Sequence, residues 1–243
     1  MDILVTGGTG KLGRALVERL RGDGRAPRVL SRTAGQGRVV GDLRTGAGID
    51  DAVRGADVIV HCATAPRGDA DTTRTLVDAA ARAGSPHLVY VSIVGIETVP
   101  MPYYRAKLAA EKIVTGSGLP WTILRATQFH DLLATMFSAG SRTGVLPVLK
   151  ATPFQPVDVT DVAARLAKLA LEPAAGRADD FGGPQVRDMA DLGRAWLAAT
   201  GTRRRVVALR LPGAIARGYR TGAHTAPEHT DGTVTFEQFL GTS

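Results

Sequence analysis

The sequence predicts an α/β fold built on a doubly wound parallel sheet, and three features of its 243 residues carry that prediction. Short apolar, β-branched runs alternate with longer amphipathic segments from the first residue to about residue 170. The runs are nearly continuous in apolar character, and a glycine-rich turn, Gly7 to Gly13, joins the first of them to the first amphipathic segment. Strands alternating with helices imply parallel pairing with helices on both faces. A strand covered on both faces loses the in/out alternation and becomes apolar throughout.

Taken in order, Ile3 to Thr6, Arg28 to Ser31, Val39 to Gly41, Val58 to His61, His87 to Val91 and Thr122 to Arg125 are the apolar runs and read as strands. Between them Lys11 to Arg21, Ile49 to Arg54, Asp71 to Ala83, Tyr104 to Thr115 and Gln128 to Ser138 read as helices. Beyond residue 140 the pattern loosens. A turn at Ser141 to Gly144 and an extended piece at Val145 to Leu149 precede a helix from Asp161 to Leu171, with Thr160 as its cap and Asp161 in its first turn. A last strand near Ala178 to Phe181, a helix from Met189 to Ala199 and a glycine- and threonine-rich tail follow. Trp121 and Trp196 read as core residues.

With 44% apolar and 22% charged residues, the chain is neither disordered nor collagen-like. Aromatics make up only 5%, which disfavours single-strand nucleic-acid binding by stacked rings. The single cysteine, Cys62, rules out an intrachain disulfide and a multi-thiolate metal site, and a reducing, cytoplasmic location is the expectation. No apolar run approaches the roughly 18 to 20 residues of a membrane helix, and MDILVTGG carries an acid and glycines where a leader would carry basic and apolar residues. An unprocessed protein with no membrane segment is expected.

The net charge of +7 is nearly all arginine, since only Lys11, Lys107, Lys112, Lys150 and Lys168 are lysines. Such a surface invites anionic ligands, while scattered solvated arginines explain the same balance. Arg203, Arg204, Arg205, Arg210, Arg217 and Arg220 are concentrated near the end of the chain, without a nucleic-acid recognition pattern beside them. Residues 221–232, TGAHTAPEHTDG, read as a loop, mobile or closing over a ligand, with His224 and His229 as candidate proton donors.

Thr6, Gly7, Gly8, Thr9, Gly10, Lys11, Leu12 and Gly13 lie directly after a strand and directly before a helix. Backbone N–H groups there can approach a pyrophosphate at the positive end of the helix. In dinucleotide folds the second strand ends on an acid for the adenosine ribose, or on a base for a 2′-phosphate. Here it ends Ser31-Arg32, with no acid and with Lys11 at the same corner, so NADP(H) is favoured over NAD(H). Asp42 and Leu43 follow the third strand, where the carboxylate accepts from the adenine amino group and Leu43 packs on the ring, or the acid merely ends a turn. Cys62, Ala63 and Thr64 end the fourth strand with small residues that let the backbone pass close to the cofactor. His61 is either a contact or a satisfied core histidine, and nothing near it supplies metal-ligand spacing.

TGGTGKLG, the acid in GDL, and YYRAKLAAEK followed by SGLPWTILRATQF together resemble the atypical short-chain dehydrogenase/reductase family, in its NmrA-like, NAD(P)H-binding branch. The similarity spans roughly residues 1 to 200. It implies one NAD(P)-binding domain over residues 1–243 with a Rossmann-like sheet, in which residues about 140–160 and 184–243 form a smaller C-terminal substrate-binding portion. It implies NADP(H) as cofactor, a small-molecule substrate, and a monomer or homodimer.

Tyr103-Tyr104-Arg105-Ala106-Lys107 matches the family's Tyr-x-x-x-Lys pattern, which implies that Lys107 holds the nicotinamide ribose and, as an ammonium near a phenol, favours the phenolate. Pro102 starts the helix, which leaves Tyr104, at i, i+3 from Lys107, as the rival of Tyr103. Ser92 occupies the place of the family serine that polarises the substrate carbonyl. Thr127, Gln128 and Phe129 follow the sixth strand, at the end where ligands bind, and Thr127 also reads as a helix cap. Phe154 and Gln155 resemble the family's substrate-side segment. The leading expectation is an NADPH-dependent oxidoreductase acting on a small apolar quinone, enone or ketone, in which the tyrosine is dispensable where hydride goes straight to a strong acceptor. The alternatives are an NADP(H)-sensing regulator without turnover and a sugar-nucleotide epimerase; Arg32 counts against the epimerase.

Overall fold

The computed structural model describes residues 1–64 and 68–242. Its elements run β1 (Ile3–Thr6), α1 (Lys11–Gly22), β2 (Arg28–Ser31), β3 (Arg38–Val40), α2 (Ile49–Val53), β4 (Val58–His61), α3 (Asp69–Arg82), β5 (His87–Ile93), α4 (Pro102–Thr115) and β6 (Trp121–Ala126). They continue α5 (His130–Ser141), β7 (Leu146–Leu149), β8 (Pro153–Phe154), α6 (Val159–Leu171), β9 (Gly176–Arg177), β10 (Arg187–Asp188), α7 (Met189–Ala199), β11 (Val206–Leu209), α8 (Ala214–Arg220) and α9 (Phe236–Gly241).

The seven-stranded sheet has the order β3-β2-β1-β4-β5-β6-β9, the doubly wound arrangement the sequence predicts. The chain reverses direction across the sheet between β1 and β4, which pair in parallel from Ile3↔Val58 to Thr6↔His61. Ligands of such sheets bind outside the carboxyl ends of the strands at this switch point. The glycine turn leaves β1 there, and Cys62-Ala63-Thr64 leave β4 beside it.

The chain divides into two compact units, and the division falls within α4, after Tyr104. The first comprises Met1–Ser92, Arg105–Arg125 and Val162–Asp179. Its core includes Leu4, Ile59, Leu76, Leu88, Tyr90 and Ile123, all nearly inaccessible to solvent. Burial of each large apolar side chain contributes about 1.5–3 kcal/mol. Trp121 is half-buried and packs against this cluster. Arg125 is buried near the end of β6. It donates to both Glu111 carboxylate oxygens at 2.8 and 2.6 Å, tying β6 to α4 through a buried fork.

The second unit comprises Ile93–Tyr104, Ala126–Asp161 and Asp180–Ser243. Its core holds Phe137, Leu146, Val148, Phe154, Trp196 and Phe236. Two small sheets complete it: β11 runs parallel to β7, and β10 pairs antiparallel with β8. Residues 140–160 and 184–243 fall within this unit.

Several boundaries move for identifiable reasons. The last sheet strand is Gly176–Arg177, not Ala178 to Phe181; Phe181 makes an isolated bridge with Ala126. Thr160 lies inside α6, because Asp158 accepts its N–H at 2.8 Å and its hydroxyl at 2.6 Å, so the acid two residues earlier does the capping. The tail contains two helices. In α8 Gly218 lies against Val99, where an added Cβ would meet its side chain at 3.2 Å. Thr235 and Gln238 form a capping box at the start of α9.

Candidate functional site

The four glycines of the turn have different jobs. Gly7 has φ +68°, and a Cβ on it would stand 2.5 Å from the Ala63 nitrogen, so this residue lets the ends of β1 and β4 touch. A Cβ on Gly8 would meet Val29 at 2.6 Å, and one on Gly13 would meet the Gly7 oxygen at 2.2 Å. These three spaces are filled by the protein itself. Gly10 is exposed and, among the described residues, a Cβ on it would meet only the Gly7 oxygen, at 3.3 Å, so it is the glycine over which another molecule can approach the backbone.

Gly10 is also the N-cap of α1, with no side chain capping it and no acid in the first turn. The first amides of a helix have no intrahelical carbonyl, and together with the helix dipole they attract an anion. The turn therefore fits a pyrophosphate: an open glycine, an uncapped helix and no carboxylate in the helix's first turn.

At the end of β4, His61 is fully buried and bridges two threonines. Its Nδ1 lies 2.6 Å from Thr6 Oγ1 and its Nε2 3.1 Å from Thr73 Oγ1. Thr73 donates its own hydrogen to the Asp69 carbonyl at 2.8 Å, so it accepts from His61, which fixes the proton on Nε2. Thr6 then donates to Nδ1 while accepting the Ala63 N–H at 3.3 Å. Burial, reinforced by the nearby Lys107 charge, lowers His61 to about 3. It is a neutral strut locking the two strand ends. Burial pushes the neighbouring Cys62 thiol up to about 12, which makes it unreactive, and Thr64 is exposed.

Lys107, only 3% exposed, donates to the Tyr90 hydroxyl at 3.1 Å and to the Val91 carbonyl at 3.2 Å. Its remaining near contact is Asp69 Oδ2 at 3.5 Å. Burial lowers its pKa, and Asp69 opposes the shift. The phenol that the ammonium holds is thus Tyr90, whose place inside the apolar run of β5 gives no local sign of this contact. Ser92, two residues along β5, is 3% exposed, and its hydroxyl has no hydrogen-bond partner among the described residues.

Beside the turn, a hollow of about 300 Å³ is lined by Gly8, Thr9, Gln36, the cations Arg14, Arg21 and Arg38, and one carboxylate, Glu18, among others. Arg32 is exposed just past β2 and is not part of this lining, and Lys11 is exposed at the start of α1. Ser31 accepts the Thr33 N–H at 3.1 Å and so shapes the turn after β2. Arg14 and Arg38 were missed from sequence, although Arg14 lies one helical turn beyond Lys11. Asp42 ends a turn: its carboxylate accepts the Arg44 N–H at 2.9 Å and its carbonyl the Gly46 N–H at 2.8 Å. Leu43, expected on an adenine ring, is instead buried in the core of the first unit. A groove of about 500 Å³ beside α3 and α4, lined by Arg74, Asp78 and Lys112 among others, shares no residue with the glycine turn.

The second unit gathers the remaining residues. Tyr104 is 3% exposed, while Tyr103 is half-buried. The Tyr104 oxygen accepts from Tyr219 OH at 3.3 Å and from Gln128 Nε2 at 3.4 Å. Burial raises its pKa, and the adjacent Tyr219 adds to the shift, so this environment favours the neutral phenol over the phenolate expected from sequence. Gln128 Nε2 also donates to the His224 carbonyl at 3.2 Å, and its Oε1 has no partner among the described residues. His224 is fully buried, edge-on to Phe154 at 4.7 Å and to Tyr219 at 4.4 Å.

Gln155 is a clamp. Its Nε2 donates to the carbonyls of Gly183 and His229, both at 2.9 Å, and its Oε1 accepts the Ala226 N–H at 2.8 Å. The segment 221–232 is therefore held by two buried glutamines. Thr127 does not cap a helix: it donates to the Gln155 carbonyl at 2.5 Å, and Phe129 is the N-cap of α5. Phe154 stacks on Tyr219 at 5.7 Å. Among the described residues no cluster of His, Cys, Asp and Glu is arranged to hold a metal ion, and no helix is long and apolar enough to cross a membrane.

Residues 7–173 match the NAD(P)H-binding family. The chain is 32% identical over 194 residues, 75% of its length and 68% of the relative's, to a (4-alkanoyl-5-oxo-2,5-dihydrofuran-3-yl)methyl phosphate reductase of Streptomyces griseus. It is 30% identical over 197 residues, 72% of its length and 62% of the relative's, to a ceramide reductase of Caulobacter vibrioides. The solved structure of an NADPH-dependent quinone oxidoreductase from Escherichia coli in complex with NADPH superposes with a TM-score of 0.84 at 19% identity, covering 99% of both chains. The chain belongs to the NAD(P)H-binding family, with the fold of the atypical, NmrA-like short-chain dehydrogenase/reductases.

Proposed function

We propose that this chain is an NADPH-dependent reductase that passes hydride to a small, largely apolar quinone, enone or ketone. The observation that carries the coenzyme half is the uncapped, acid-free start of α1 behind the open Gly10. The reductase half is supported by the names of the two relatives of 30% identity or more.

Bound NADPH supplies the hydride from its nicotinamide C4. The residues of the chain do the rest. The first amides of α1 hold the pyrophosphate. Lys11, Arg14, Arg32 and Arg38 supply the cations for a 2′-phosphate, and the second strand ends without the carboxylate that an NAD-type site would place there. Lys107 holds the ribose hydroxyls through its third N–H, because the other two are committed at 3.1 and 3.2 Å and, among the described residues, the third has the longer contact to Asp69.

Ser92 brings a buried hydroxyl with no partner among the described residues, suited to a substrate carbonyl oxygen. Tyr104 is favoured over Tyr103 as proton donor because it is buried, its burial favours the protonated phenol, and Tyr219 and Gln128 hold its oxygen in place. Phe154, Phe129 and Gln128 are the substrate-side residues in this reading, and Gln155 supports them by holding the 221–232 segment.

The test is to mix purified protein with NADPH and a panel of quinones, enones and ketones and to follow the loss of the reduced-nicotinamide absorbance. Consumption with at least one acceptor, slower with NADH, is the expected result. Tight NADPH binding with no consumption in any mixture would replace this reading with that of a nucleotide sensor.

A further inference from the structure

Lys107 does not stand alone in the first unit. Tyr90 bridges it to a second buried charge: the phenol oxygen accepts from Lys107 Nζ at 3.1 Å, and its hydrogen goes to Asp69 Oδ2 at 3.2 Å. Asp69 is fully buried in the first turn of α3. An ammonium in such surroundings sheds its proton unless a carboxylate lies close, and a carboxylate there is tolerable only beside a cation.

Among the described residues, the other groups facing the ammonium are few. His61 and Cys62 approach from the end of β4 and Glu111 from the next turn of α4. His61 titrates at about 3 and Cys62 at about 12, and Glu111 is held in the fork of Arg125. In the neutral and mildly alkaline range the charge on Lys107 therefore answers to Asp69.

We propose that Asp69 is a positioning residue, whose buried carboxylate, acting with the Tyr90 hydroxyl, keeps the Lys107 ammonium charged and aimed at the coenzyme. The inference rests on the reading of Lys107 as a coenzyme ligand. It assigns to the start of α3 a role in coenzyme affinity that no contact with the coenzyme requires.

The experiment uses the full chain and two readouts. Calorimetric NADPH titrations of wild type and Asp69→Asn from neutral to alkaline pH give the affinity. Heteronuclear NMR of the lysine Nζ groups in the free protein, practicable because the chain has five lysines, gives the charge state, with Lys107→Arg assigning the signal. In Asp69→Asn the Lys107 midpoint is expected to fall by about one pH unit or more, and NADPH affinity to fall about ten-fold at an alkaline pH where wild type still binds.

Affinity curves for the two proteins that stay parallel at every pH, equal or uniformly weaker, would overturn the proposal, because a packing role has no such pH signature. If the midpoint moves but Lys107→Gln binds NADPH as wild type does, the coenzyme reading of Lys107 fails while the Asp69 pairing stands. Should Asp69→Asn not fold, Tyr90→Phe keeps both charges and removes the bridge. Several-fold weaker NADPH binding is then expected, and unchanged binding counts against the proposal.

Discussion

Gly13 lies so close to Gly7 that a Cβ on the first would stand 2.2 Å from the carbonyl oxygen of the second, whereas the same atom on Gly10 would meet that oxygen at 3.3 Å and nothing else among the described residues. The first contact is part of the fold and the second leaves room for a ligand. Gly13→Ala is therefore expected to lower the melting temperature and abolish NADPH binding together. Gly10 has φ −79°, which alanine adopts freely, so Gly10→Ala should cost no more than about 1 kcal/mol of stability. It should nonetheless weaken NADPH about ten-fold or more by filling the approach to the helix amides. Thermal melts and calorimetry on both variants separate the two effects; equal behaviour would mean that Gly10 is not the approach.

Coenzyme choice tests the hollow that Arg14 and Arg38 line. A guanidinium paired with a phosphate contributes about 1.5–3 kcal/mol, or roughly 10- to 100-fold in affinity. Arg38→Ala is expected to weaken NADPH by that factor and to leave NADH within about two-fold. Arg32→Asp should reverse the preference between the two coenzymes. If both coenzymes lose affinity equally in each variant, the arginines serve the fold and not the 2′-phosphate.

Tyr104 carries a prediction with a defined sign in pH. Burial raises its pKa, so it stays protonated as the solution becomes alkaline, while burial lowers that of Lys107. The fall of kcat/KM at high pH therefore belongs to Lys107, which loses its charge, and not to Tyr104. Tyr104→Phe is expected to lower kcat about 10²–10⁴-fold on a carbonyl acceptor and to keep the alkaline limb in place. On a strong quinone acceptor, where solvent can protonate the product, the loss should be small. Disappearance of the limb in Tyr104→Phe would show that the phenol itself titrates.

The legible part of the molecule is the part whose causes are local. β1, β2 and β4 have the bounds predicted for them because each is a short apolar run ended by a glycine, a charged residue or a change of pattern. The glycine turn was legible for the same reason. What escaped depends on partners far along the chain. Gln155 reads as a substrate residue until its partners at Gly183, Ala226 and His229 are seen, and Leu43 is as suitable for a core as for an adenine ring. Asp69 carries no local mark of its bond to Tyr90, 21 residues away. In the tail, Gly218 and the arginines hide α8, although the Thr235/Gln238 spacing was a readable signal for α9.

Two buried histidines predict how the protein responds to acid. His61 titrates at about 3 and His224 at about 4, in each case because burial disfavours the imidazolium, whereas both have a value near 6.5 in the unfolded chain. Above about pH 6.5 both states bind no proton at these sites and the histidines contribute nothing to the pH dependence. As the pH falls below that value the unfolded chain takes up protons that the folded chain refuses, so stability is lost from about pH 6.5 down toward the folded midpoints. By pH 5 the loss is of the order of 1–2 kcal/mol per histidine. Urea midpoints measured between pH 7 and pH 5 should fall accordingly. His224→Phe retains the ring between Phe154 and Tyr219 and removes one titrating group, so its midpoint should fall less steeply than that of wild type. A parallel fall in the variant would assign the acid sensitivity to other groups.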